Sequence, residues 1–260
     1  MRRCARARND RAEVRLDERP RSMAWTVPMA ERSVSIPIPG SSPVSGVLHA
    51  PRTRAKRSGV AVVLGHGAGA DMHAPLLVDV AGRLVARGHT VLRFNFVYKE
   101  LGRKAPDRPP LLEKAYEAAI ARVLEEKPER LVIGGKSMGG RIASLLAARG
   151  VRADGLLFLG YPLHPAGKRA PLRDAHLPAI TAPLLFLQGT RDALCDLALL
   201  RPVLKRLKKR ATLHVIEGGD HSLDLLKSAG RTRESVLEEV DLAIDGWLKA
   251  RVCAPGPKKR

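Results

Sequence analysis

Gly135-Lys136-Ser137-Met138-Gly139 fits the pattern G-x-S-x-G, a spacing suited to nucleophilic attack by the serine. A serine hydroxyl is a weak nucleophile at neutral pH. It needs a base within hydrogen-bond reach, a third group to orient that base, and donors for the negative charge that develops on the attacked oxygen. Small residues two positions either side of Ser137 permit a sharp turn that projects the hydroxyl, and Gly134 and Gly140 extend that freedom. A phosphate-cradling turn is the competing reading of such a glycine-rich stretch, but the sequence has no G-x-x-x-x-G-K-[ST].

The remaining parts are expected in the order serine, acid, histidine, each at the C-terminal end of a strand. Asp192 follows the apolar run Leu184–Leu187, and His221 follows Thr212–Ile216, so these two are the candidate acid and base. Asp196 and Asp220 are the rival acids. Asp196 reads as the N-cap of a helix, and Asp220 adjoins His221 too closely to approach its ring from behind. Of the other histidines, His49 and His214 fall in strands, His89 in a turn, and His66, His73, His164 and His176 in loops, where packing or contact roles are expected. Gly65-His66-Gly67-Ala68-Gly69-Ala70 directly follows Val60–Leu64, where one oxyanion N–H is supplied, the other coming from the residue after the nucleophile. Met138 and Ala68 are the assigned donors, with Gly67 or Gly69 as alternatives to Ala68. Lys136 and Arg141 flank the turn, either favouring anionic substrates or facing solvent and capping carbonyls. The expected reaction is cleavage of a small carboxylic ester or related acyl substrate through an acyl-enzyme, with neither cofactor nor metal. A hydrolase fold kept as an interaction module without turnover is the alternative.

The elements needed to position these residues recur along the chain as a short apolar strand, a glycine-bearing turn and an amphipathic helix. Strands are expected at 34–38, 44–49, 60–64, 91–94, 131–134, 155–159, 184–187 and 212–216, and helices at 75–87, 110–126, 138–149, 196–209 and 232–251. The first two strands read as an edge hairpin because Pro37, Pro39, Gly40 and Pro43 separate them. Strands apolar at every position, such as Val60-Ala61-Val62-Val63-Leu64, must be buried on both faces. The fold class expected is α/β, an α/β-hydrolase fold with a mostly parallel sheet of about eight strands and helices on both faces. The proline-rich segment from Tyr161 to Pro183 reads as a pocket wall, not a cap domain. Residues 33–251 form the expected domain, 1–32 a disordered basic extension with Met23 and Met29 as alternative starts, and 252–260 a basic tail.

The 260 residues carry a formal charge of +20, yet residues 1–22 and 251–260 contribute +8 of it, leaving +12 on the rest. Part of the remainder is Lys205, Arg206, Lys208, Lys209 and Arg210, expected at a helix end that favours cations. No aromatic or helix-turn-helix signature accompanies the charge, so no specific nucleic acid is expected. No apolar run reaches the ~20 residues of a membrane span, and the arginine-rich N-terminus lacks the apolar stretch of a secretory signal, so a cytoplasmic protein is expected. Cys4, Cys195 and Cys253 are too few and scattered for a disulfide framework or metal cluster.

Five stretches together resemble a family: Gly65–Ala70, Leu92-Arg93-Phe94-Asn95-Phe96, Gly135–Arg141, Gly160-Tyr161-Pro162-Leu163-His164-Pro165 and Leu187–Asp192. They are similar to the dienelactone-hydrolase-like α/β-hydrolases that include bacterial predicted hydrolases, testis-expressed hydrolase-like proteins and the hydrolase-like domain of an NSL chromatin-complex subunit. The resemblance runs from about Ser33 to Trp247 and implies a triad at Ser137, Asp192 and His221. Dienelactone hydrolases proper use a cysteine nucleophile, so the serine argues against that substrate. One departure concerns the loop after Asn95: Phe96-Val97-Tyr98 stands where the family has Phe-Pro-Tyr.

Overall fold

A computed structural model describes residues 29–51 and 57–254 of the chain. Most of the expected C-terminal tail and most of the expected N-terminal extension lie outside the described residues. Eight strands form one sheet: β1 (Met29–Ile36), β2 (Val44–Pro51), β3 (Val60–Gly65), β4 (Thr90–Phe94), β5 (Arg130–Lys136), β6 (Gly155–Leu159), β7 (Leu184–Gly189) and β8 (Ala211–Ile216). Their spatial order is β1-β2-β4-β3-β5-β6-β7-β8. The β1/β2 and β2/β4 pairs are antiparallel and the other five are parallel. The helices are α1 (Pro75–Ala86), α2 (Val97–Glu100), α3 (Pro109–Leu124), α4 (Met138–Ala148), α5 (Leu197–Leu207) and α6 (Arg233–Trp247).

Alternating side chains along each central strand feed two cores. In β3, Ala61 and Val63 point into the layer covered by α3, α4 and α5, while Val60, Val62 and Leu64 point into the layer under α1 and α6. All four phenylalanines and all three tyrosines lie in the first layer; the second is aliphatic apart from Trp247. Burial on both faces explains the unbroken apolar runs of the parallel strands. β8 is the half-buried edge.

Two elements differ from the sequence expectation for identifiable reasons. β1 ends at Ile36 and reaches back to Met29, pairing Met29 with Pro51. Pro37 and Pro39 lack the N–H that would extend the ladder, and Glu31 and Arg32 conceal the strand from a search for apolar alternation. The four-residue α2 is too short for helical periodicity to register. Elsewhere boundaries move by a few residues; α6, for example, ends at Trp247 and continues as a π-turn to Val252.

The segment between β6 and β7 carries only a short 3-10 turn, Leu177–Ala179, and builds no separate cap. Part of the basic run after α5 is tied to it: Arg206 pairs with Asp174, and Arg210 donates to the carbonyls of Pro178 and Ile180. Besides standing at or just after the helix end, Arg206 and Arg210 therefore anchor a loop. Among the described residues no helix is long and apolar enough to cross a membrane.

Candidate active site

The turn from β5 into α4 carries Ser137 at φ 50° and ψ −111°. A non-glycine residue held there stores about 1–3 kcal/mol of strain, which the surrounding packing must sustain. Gly135 and Gly139 make that packing possible. Gly135 has φ 137°, and a Cβ on either glycine would overlap the backbone of Gly65 on β3. The Ser137 turn is thus pressed against the strand that leads into the Gly65–Ala70 loop.

The turns after β7 and β8 place Asp192 and His221 beside it. The Ser137 hydroxyl lies 2.8 Å from His221 Nε2, and His221 Nδ1 lies 2.8 Å from Asp192 Oδ2 and 2.9 Å from Oδ1. The carboxylate only accepts, so Nδ1 carries the proton and Nε2 is left to accept from the serine. Asp192 has a fully buried side chain; His221 is 23 % exposed. Two further donors fix the carboxylate: the Gln188 amide nitrogen to Oδ2 and the Leu194 backbone N–H to Oδ1 at 2.7 Å. Gln188 is itself held, its Oε1 accepting from Tyr161 N–H at 2.9 Å. The two turns are stitched together by Arg191 N–H to the Gly219 carbonyl and Gly218 N–H to Thr190 Oγ1, both 2.8 Å.

The rival acids are occupied elsewhere. Asp196 caps α5 by accepting from Ala198 N–H at 2.8 Å, and Asp220 Oδ1 accepts from the amides of Ser222 and Asp224 within its own turn. Five of the other histidines have separate partners: His49 with Arg93, His89 with Ser58, His164 with Asp196 N–H, His176 with Ser144 and His214 with Glu239.

Gly67 packs beside Ser137; a Cβ built on it would stand 3.6 Å from Cβ of that serine. Ala68 follows on an exposed turn. Among the described residues the amides of Ala68 and Met138 donate to no protein acceptor. For Met138 this follows from its place at the first position of α4. His66 shapes the loop: Nδ1–H donates to the Gly67 carbonyl at 2.8 Å and Nε2 accepts from Phe96 N–H at 3.1 Å. Burial holds its pKa down at about 4, so the ring stays neutral.

Several supporting contacts escaped the sequence reading. Arg93 donates to the Met72 carbonyl and Asn95 accepts from the Met72 N–H at 2.9 Å, clamping the chain beyond Ala70 through both backbone groups of one residue. The Tyr116 hydroxyl, from α3, inserts beneath the nucleophile turn; it accepts from Gly134 N–H at 2.8 Å and lies 2.5 Å from the Gly134 carbonyl and 2.9 Å from that of Val63. Lys136 caps the His221 carbonyl, and Arg141, one turn along α4, is half-buried. The available signal was a polar residue inside an otherwise apolar strand, which must find a partner if buried. The Phe96-Val97-Tyr98 departure leaves room for a proline, since Val97 is the first residue of α2, a position where proline and valine both fit.

Comparison with solved structures returns the same architecture. The chain aligns to a dienelactone hydrolase from Anabaena variabilis ATCC 29413 with TM-score 0.67 and 21% identity, covering 86% of this chain and 99% of that one. XC6422 from Xanthomonas campestris, described as an α/β serine hydrolase without lid, aligns with TM-score 0.67 and 20% identity over 87% of this chain and 97% of its own. The Pyrococcus furiosus esterase Pf2001 gives TM-score 0.67 at 18% identity, over 86% and 91%. At such identities the likeness speaks for the fold. Residues 58–249 match the family model described as alpha/beta hydrolase domain, and with that span covering most of the sheet and all six helices, the chain belongs to the α/β-hydrolase domain family.

Proposed function

We propose that the protein is a serine hydrolase that cleaves a small carboxylic ester or related acyl substrate through an acyl-enzyme at Ser137. The observation that carries this reading is the unbroken chain from Ser137 Oγ through both nitrogens of His221 to the buried Asp192 carboxylate, with each distance 2.8 or 2.9 Å. Ser137 Oγ attacks the acyl carbon as its proton passes to His221 Nε2; Asp192 stabilises the resulting imidazolium and holds its tautomer. The acyl C–O bond breaks, and the leaving alcohol takes the proton from Nε2. Water then attacks the acyl-enzyme, giving its proton to the same nitrogen; the bond from the acyl carbon to Ser137 Oγ breaks, the serine oxygen takes that proton back, and the acid is released. The unengaged N–H groups of Met138 and Ala68 receive the oxyanion, a role in which losing one donor costs about 10²–10³-fold in rate. The serine hydrolase and esterase descriptions of two structural neighbours agree with this chemistry. The motifs around Ala68, Asn95 and Tyr161 support placing the chain with the testis-expressed and NSL-type branch of the family.

A fluorophosphonate probe should modify wild-type protein at Ser137 and leave Ser137→Ala unlabelled, with turnover of at least one member of a short-chain ester and thioester panel. Folded protein that neither labels nor turns over any of them refutes the proposal and favours an interaction module.

A further inference from the structure

The residue before the nucleophile has no part in that reaction scheme, although it lies at the centre of the site. Lys136 is the last residue of β5, and its side chain is directed inward, with 8% of the residue exposed. Its Nζ donates to the backbone carbonyl of His221. The path is lined by glycines. A Cβ on Gly160 would fall 3.4 Å from Nζ and 2.6 Å from the His221 carbonyl oxygen, and a Cβ on Gly67 would fall 3.5 Å from Lys136 Cγ. The lysine therefore crosses from the nucleophile strand, past the end of β6, to the base-bearing turn.

That crossing has a mechanical meaning. The turns carrying Asp192 and His221 are bonded to one another, but among the described residues two hydrogen bonds join the His221 turn to the nucleophile turn and its strand. One is the bond between Ser137 and the imidazole, which the reaction itself breaks and remakes. The other is the bond from Lys136. We propose, building on the serine hydrolase reading, that Lys136 is a positioning residue whose charged ammonium holds the His221 backbone at a fixed distance from Ser137 while the imidazole exchanges protons.

The charges facing Nζ come from the two neighbouring turns: Asp192 after β7, and Asp220 and Asp224 flanking His221 after β8. The turns after β3 and β6 present Gly67 and Gly160 to it and so add no charge at the contact. Burial outweighs the three carboxylates and lowers the Lys136 pKa to about 8. A neutral amine donates a weaker hydrogen bond than an ammonium, so the tether slackens as pH rises through that value.

The test compares wild type with Lys136→Met, which keeps the length and apolar stem of the side chain. Amide hydrogen exchange over residues 217–224 is expected to accelerate at least about tenfold in Lys136→Met, with exchange in β3 and β5 unchanged. Turnover of an activated ester should fall about 10²-fold in kcat with KM nearly constant, as for a misplacement of about 1 Å at a reacting group. The wild-type pH–rate profile should descend on its alkaline side near pH 8, and that descent should be absent from Lys136→Met. Unchanged exchange in the His221 turn overturns the proposal whatever the enzyme assay gives. A wild-type rate that stays level from pH 7 to 10 overturns the requirement for the charged form. Altered exchange in a protein without any acyl turnover leaves the tether standing and rejects the hydrolase reading instead.

Discussion

Asp192→Asn is a sharp test of the proposed mechanism because every partner of that carboxylate is a donor. Oδ1 accepts from Leu194 N–H, Oδ2 from the Gln188 amide, and both oxygens face His221 Nδ1. Asparagine replaces one oxygen with an NH2 group, which must then meet a donor. The Leu194 amide cannot turn away. Gln188 cannot invert its amide without presenting NH2 to the Tyr161 N–H that its oxygen now accepts. The histidine can yield, by moving its proton from Nδ1 to Nε2, and the imidazole then offers Ser137 a hydrogen where it had offered a lone pair. The base is lost while the geometry survives. A loss of this kind costs on the order of 10⁴-fold in rate, about 5.5 kcal/mol of barrier. The unresolved contact with Gln188 should remove a further ~1–3 kcal/mol of stability. The assay is the second-order rate of fluorophosphonate labelling beside kcat/KM for an ester, with a urea melt to confirm folding. A folded Asp192→Asn protein within tenfold of wild type in both rates refutes the reasoning.

Two other outcomes probe the scaffold. Tyr116→Phe opens no cavity but leaves the Gly134 N–H and a neighbouring carbonyl without the hydroxyl that serves them, so a urea melt should show a loss of about 2–4 kcal/mol with an unchanged m value; a loss below about 0.5 kcal/mol would mean that these backbone groups find other partners. Burial lowers the pKa of His66 and His89 to about 4, below the ordinary 6.5, so the unfolded chain takes up protons that the folded one refuses. Their contribution is complete above pH 6.5 and drains away between 6.5 and 4, and His89→Gln should make the urea midpoint less sensitive to pH across that window.

The parts of the candidate site that were legible in the sequence are those fixed by local chemistry and strand order. Ser137 announces itself by the small residues that its positive φ and the approach of β3 demand, and Asp192 and His221 by standing just past apolar runs that became β7 and β8. Asp196 was recognisable as a cap for the same local reason. What escaped was settled across the sheet. The meeting of Lys136 with the His221 carbonyl spans 85 residues of chain, and Arg93 reaches Met72 only because β4 lies beside β3 in the final strand order. A single sequence shows that such polar groups in apolar strands need partners, but the partner depends on register. β1 illustrates the other limit: an edge strand held by backbone pairing needs no apolar alternation, and Glu31 and Arg32 supply none.

Placing every phenylalanine and tyrosine in one layer and Trp247 in the other also gives the two cores separate optical signatures. Tyr98, Tyr116 and Tyr161 report on the packing beneath the nucleophile turn, and Trp247 on the aliphatic layer under α1 and α6. In a Trp25→Phe background the tryptophan emission would belong to Trp247 alone. Tyrosine near-ultraviolet dichroism and tryptophan fluorescence would then show, without any added label, whether the layer that supports the site and the layer behind it melt together or in turn.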